Sequence, residues 1–121
     1  MSETTNFFAH GSRWVRADFH LHTRRDREFK DSGDEQDFVT RYVAALKQAD
    51  IRVGVITNHN KFDLSEFKAL RKAARKENIH LMPGVELSVK DGRNGIHTLV
   101  VFHEDWIDNR EQADHINSFL G

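Results

Sequence analysis

The chain has 121 residues, 38% of them hydrophobic and 31% charged, with a formal net charge of −1. This describes one small soluble domain, without the charge excess that draws a protein to nucleic acid or to an anionic membrane. With no cysteine, disulfides and thiolate metal sites are excluded; no signal peptide or membrane-length apolar run is present, so the expectation is a cytoplasmic protein.

The first predicted element is a strand over 15–21, and it ends on His20-Leu21-His22. On a regular strand His20 and His22 share a face with Asp18, while Ala17, Phe19 and Leu21 share the other. Two imidazoles about 7 Å apart along a strand can grip one metal ion without a bend in the backbone. An isolated pair of this kind is equally well two surface histidines on an edge strand. A charged loop from Thr23 to Gly33 follows, carrying Arg24, Arg25 and Arg27. Guanidinium groups suit phosphate oxygens, although charge runs are more often simply solvated.

A helix is predicted over 34–49, with Phe38, Tyr42, Ala45, Leu46 and Ala49 as its apolar stripe. Ile51 to Thr57 is short and β-branched, a buried second strand. It runs directly into Asn58-His59-Asn60, which puts His59 at the same strand-end rim as the first two histidines. Asp63-Leu64-Ser65-Glu66 reads as a capping box opening a second helix, with Phe62 and Phe67 as its hydrophobic staple. Phe67, Leu70 and Ala74 form its buried stripe, and Asn78 ends it in a left-handed turn. Lys68, Arg71, Lys72, Arg75 and Lys76 give it a basic stripe, which reads first as the wet side of an amphipathic helix.

The third and fourth strands are predicted over 79–89 and 96–102. Too few residues separate them for a crossover, so they should form an antiparallel hairpin, whereas the helices make the earlier strands parallel. Glu86 is an acid inside the apolar third strand. Buried, it needs a cation; on an edge it would face solvent or an arginine. An Asp91-Gly92 turn would set Glu86 opposite His97, and an Asn94-Gly95 turn would set it opposite His103. A capping box at Asp108 to Glu111 opens a last helix. The whole is an α/β chain. Four strands leave two open edges, so we expect the front part of a longer protein, with self-association through a sheet edge; a small four-stranded sandwich is the alternative. Without cysteine, a site of imidazole and carboxylate suits Zn, Mn or Fe.

Four blocks, Arg16 to Thr23, Ile56 to Asn60, Pro83 to Ser88 and Ile96 to Leu99, together resemble the PHP (polymerase and histidinol phosphatase) domain family over residues 13–102. The resemblance implies the N-terminal part of a distorted (β/α)7 barrel, so that 1–121 forms one incomplete domain. It implies two or three divalent metals and a metal-activated water attacking phosphate esters, nucleic acid or nucleotide among them. It also implies His20, His22, His59, Glu86 and His97 as catalytic metal ligands, with Glu86 bridging. Asp26 stands near a further ligand position, one residue early, and Asn58 replaces the usual aspartate. The later histidine and the final Asp-x-His block of a full domain are not recognisable before Gly121. Arg24 and Arg25 would then hold substrate phosphate. Gly11-Ser12-Arg13-Trp14 is similar to the lead-in of PHP modules that open TrlF-like AAA/SMC-type ATPases, which implies an attached ATPase domain. An amidohydrolase, which also begins with an H-x-H strand, is the second enzymatic expectation. A non-catalytic docking module is the third.

Overall fold

The structure is a computed structural model and describes residues 14–26, 33–89 and 95–108. Its elements are β1 (Arg16–Leu21), α1 (Glu35–Gln48), β2 (Ile51–Ile56), α2 (Leu64–Lys76), β3 (His80–Val89), β4 (Ile96–Val101) and α3 (Asp105–Asp108). Helix ends are set by side chains that satisfy free backbone N–H groups. The Asp34 carboxylate accepts from Gln36 N and Asp37 N, and Asp63 accepts from Glu66 N. Asn78, with φ 58°, takes the left-handed conformation that stops α2. The Phe62 and Phe67 rings pack 5.6 Å apart, as a staple should.

The strands lie in the order β1-β2-β3-β4. The first two pairs are parallel and the β3–β4 pair is antiparallel, as the connection lengths require. Helices α1 and α2 pack on β2, β3 and each other. Phe38, Val43, Leu46, Phe67, Leu70, Ala74, Leu81 and Val85 lie in the resulting core. Among the described residues this is a mixed α/β fold with a four-stranded sheet.

Several expectations shift. The α1 stripe is rotated: Val39 and Val43 are buried with Phe38 and Leu46, whereas Ala45 and Ala49 are exposed. Larger β-branched side chains bury more apolar area than alanine, so they turn the helix toward themselves. Strand β1 is not regular. Its pairing steps from Asp18↔Gly54 to Leu21↔Ile56, an extra residue on β1, and Asp18 Oδ1 accepts from the His20 amide at 2.9 Å. A bulge of this kind breaks strict face alternation. Leu21 packs on the core, but Phe19 is 56% exposed, so the expected apolar face of Ala17, Phe19 and Leu21 does not form as one unit. Helix α3 begins at Asp105, ahead of the expected cap at Asp108. The remainder of that predicted helix, like Arg27, lies outside the described residues.

The hairpin register corrects both sequence expectations. Glu86 stands opposite Leu99, and His97 stands opposite Ser88. Relative to either expected register the slip is an even number of residues, so every side chain keeps its face. His97 therefore reaches Glu86 diagonally, while His103 contacts Asp105 instead. Close approach of three strands fixes Gly84 in this arrangement. A Cβ there would lie 2.6 Å from the Val100 carbonyl oxygen and 2.7 Å from Val55 Cγ1. Gly84→Ala should destabilise the fold by about 1–3 kcal/mol through overpacking. The urea midpoint should fall at an unchanged slope; a wild-type midpoint would contradict the tight contact.

Candidate metal centre

The site is built where β1 and β2 end and β3 passes beside them. The His59 segment leaves β2 and is fastened to β3 by two backbone hydrogen bonds. Asn60 N donates to the Glu86 carbonyl at 2.8 Å, and Glu86 N donates to the Asn58 carbonyl at 2.9 Å. The end of β1 is held to β2 by Thr57 N, which donates to the Leu21 carbonyl at 2.7 Å. From α1, Tyr42 Oη donates to the His22 carbonyl at 2.7 Å. Burial, with Glu66 and Asp18 nearby, raises the Tyr42 phenol far above its ordinary range, so it stays a donor.

At the centre stands Glu86, 3% exposed. Four imidazole nitrogens surround its carboxylate. His20 Nε2 and His22 Nε2 lie 2.6 and 3.0 Å from Oε1. His97 Nδ1 and His59 Nε2 lie 2.6 and 3.1 Å from Oε2. Burial acts to raise the Glu86 carboxyl, but hydrogen bonds from His20, His22 and His97, with His59 close by, outweigh it and bring the pKa down to about 2. Glu86 is therefore an anion at neutral pH. The second nitrogen of His59, Nδ1, lies 2.9 Å from Asp26 Oδ2, which also accepts from the His59 amide at 2.7 Å. Asp26 is itself buried. A turn places it there, its amide donating to the Thr23 carbonyl at 2.9 Å.

These residues offer three overlapping donor groups: His20, His22 and Glu86; His22, Asp26 and His59; and His59, Glu86 and His97. Within each group the donor atoms all lie within 4.8 Å of one another. Ligand atoms around one divalent ion, each about 2.0–2.2 Å from it, sit roughly 3 Å apart. The donor set and its spacing are compatible with metal binding. Asp26 completes a second feature of such sites, a carboxylate on the far nitrogen of a ligating histidine.

All six residues read from the sequence as metal ligands, Asp26 included, are thus brought together. Arg24 and Arg25 are engaged elsewhere. Arg24 Nη1 donates to the Gly33 carbonyl at 2.5 Å, and its guanidinium lies 5.6 Å from the Phe38 ring centroid. Arg25 Nε is 3.3 Å from Asp63 Oδ2 and 3.8 Å from Glu66 Oε2. Glu66 was misjudged from sequence, and the packing of Asn58 was not foreseen there. Asn58 is buried and bonds to Thr23, and Glu66 is a buried partner of the Thr23 hydroxyl rather than the far half of a capping box. No local pattern separates these roles, since a Glu three residues after a helix cap satisfies the box equally well.

Against solved structures the chain shares its fold with segments of two larger proteins. One is a candidate metal-dependent phosphoesterase from Bifidobacterium adolescentis, with a TM-score of 0.60 at 17% identity over 88% of this chain and 32% of the other. The second is an amidohydrolase from Chromobacterium violaceum, solved with bound sulfate and no metal, with a TM-score of 0.54 at 25% identity over 86% of this chain and 33% of the other. The chain thus spans about a third of the length of each. No protein-family model and no curated protein matches the sequence. Among the described residues no helix is long and apolar enough to cross a membrane.

Glu86 tests the centre directly. Glu86→Gln keeps the shape but removes the anion shared by the four imidazoles. Divalent-metal affinity should fall by more than the roughly 10–100-fold that loss of an outer partner costs. Competition against a chromophoric chelator measures this, and wild-type affinity in the variant would remove Glu86 from the centre.

Proposed function

We propose that the chain is the N-terminal part of a metal-dependent phosphoesterase of the PHP type, within a (β/α)7 barrel. One observation carries the reading: a single buried carboxylate, ionised and surrounded by four imidazoles from two strand ends and a hairpin. A buried anion needs positive charge beside it. The likeness in fold to a candidate phosphoesterase agrees with it.

His20, His22, His59, Glu86, His97 and Asp26 would hold two or three divalent ions of the Zn, Mn or Fe kind. Bound there, such ions supply an acidified water and neutralise charge on the phosphoryl oxygens. The chain's own part is to position and to hold protons. Asp26 lies 2.9 Å from His59 Nδ1 and would take its proton, leaving Nε2 to face a bound ion. Tyr42 and Thr57 hold the backbone just before and at His22. His20 and His97, the more exposed of the four imidazoles, border the open side where substrate would enter. Phosphate holding by Arg24 and Arg25 also belongs to the proposal; each would exchange its present partner for a phosphoryl oxygen. A phosphate ester of nucleic acid or of a nucleotide, an attached ATPase domain and a cytoplasmic location are further parts of it. Exposed Phe19, Ile96, Leu99 and Val101 on the two outer strands support pairing through a sheet edge.

An amidohydrolase is the second reading, favoured by the 25% identity to that neighbour. The contact between Glu86 and His97 across the hairpin argues for the phosphoesterase. Turnover of a chromogenic phosphomonoester and a phosphodiester, with and without added metal, decides between them. The expected result is metal-dependent, chelator-sensitive phosphoester hydrolysis that His20→Ala abolishes while the far-ultraviolet circular dichroism is retained. Metal-dependent hydrolysis of amides alone would favour the amidohydrolase. Wild-type turnover in His20→Ala would remove the site.

A further inference from the structure

Beneath the imidazoles lie three polar residues that a metal centre does not itself require. Thr23, Asn58 and Glu66 are 0%, 2% and 2% exposed. They sit in three different segments: directly after His22, directly before His59, and in the first turn of α2. Burying polar groups costs free energy unless they are paired, so an arrangement of this kind must return something to the fold or to the site.

The direction of each hydrogen bond follows from donor chemistry. The Thr23 amide can only donate, and it lies 2.8 Å from Asn58 Oδ1. That fixes the Asn58 amide, so Nδ2 must face Thr23 Oγ1, also at 2.8 Å, and donate to it. The hydroxyl then has one proton to give, and it gives it to Glu66 Oε1. The chain of bonds runs one way, from Asn58 through Thr23 to Glu66. Among the described residues the other carboxylate oxygen, Glu66 Oε2, is buried without a hydrogen-bond partner, with Arg25 Nε 3.8 Å away.

A capping box would have used the Glu66 side chain at the amide of its own helix cap. Here the cap keeps only its first half, Asp63 accepting from Glu66 N. The carboxylate instead crosses to the loops that carry the ligands. Asp26 also joins these loops, through the His59 amide and Nδ1, but the rings of His22 and His59, which stand 4.7 Å apart, lie next to the Thr23–Asn58 contact. Centres of this kind tolerate errors of only about 0.5 Å in ligand placement.

We propose that Asn58, Thr23 and Glu66 form a one-way hydrogen-bond relay that sets the spacing of His22 and His59, with Glu66 as a positioning residue for the metal centre. The inference rests on the metal-binding reading above. Burial raises the Glu66 carboxyl, and the hydrogen bond from Thr23 acts against that rise. An amide at position 66 can accept through the same oxygen, whereas an apolar side chain cannot.

The test is metal affinity, by competition with a chromophoric chelator, in variants whose fold is checked by circular dichroism. Thr23→Val and Glu66→Leu remove the relay and should weaken binding roughly 10–100-fold. Thr23→Ser and Glu66→Gln restore a hydroxyl and an acceptor, and should return affinity to within about threefold of wild type. A purely structural role would lower the unfolding midpoint without this pattern of loss and rescue. Folded Thr23→Val and Glu66→Leu proteins with wild-type affinity would overturn the relay and leave the metal centre standing. Wild-type protein that binds no divalent metal would overturn the metal-binding reading itself. If neither Thr23→Val nor Glu66→Leu folds, while Thr23→Ser and Glu66→Gln bind as wild type, the contacts only build the fold and the relay is likewise overturned.

Discussion

The arrangement depends on one buried carboxylate and the imidazoles that make it tolerable. Glu86 lies on a central strand, where an unpaired charge would cost several kcal/mol. His20, His22, His59 and His97 each place a ring nitrogen against it. Those contacts demand that β1 end beside β2, that the segment after β2 fold over β3, and that β4 return antiparallel with a histidine on the inner face. Each demand is met by something local: the parallel crossovers of α1 and α2, the bridge between His59 and Glu86, and an even hairpin register. The same carboxylate that organises the strands is the group a divalent ion would take over.

Much of this was legible in the sequence because it follows from alternation and connection length. His20-Leu21-His22 closing a strand, His59 directly after another, and an acid inside an apolar strand are patterns readable without tertiary information. So were the parallel and antiparallel pairings, since a crossover needs a helix and a hairpin does not. The hairpin register was not legible. Two turn sequences competed, and neither corresponds to Glu86 opposite Leu99. The candidate partner survived because an error of two residues preserves the face, although it converts a direct pair into a diagonal one.

Glu66 and Asn58 show where local reading ends. Each has a complete local explanation, a helix-cap residue in one case and a loop amide in the other. Their observed contacts span 43 and 35 residues, so no window of sequence contains both partners. Phe19 fails for a related reason. Its expected burial assumed a regular strand, and the bulge between Asp18 and Leu21 removes that assumption. The apolar stripe of α1 moved because alanines fit the period but bury little, while Val39 and Val43 bury more.

The bridge between His59 and Glu86 divides the candidate ligands into two kinds by the way the backbone can open. Whereas His97 hangs from β4, the last strand in the sheet order, His59 and Glu86 are joined by main-chain hydrogen bonds between the end of β2 and β3. They separate only when the middle of the sheet separates, an event near the global unfolding limit. His20 and His22 hang from β1, the first strand in the sheet order, at the point where its ladder is interrupted. Local fraying there costs far less than global opening. Amide exchange would therefore be slowest around Glu86 and fastest beside the paired histidines. An ion held between the two halves would enter and leave on the breathing of one edge, with the other half waiting as a rigid seat.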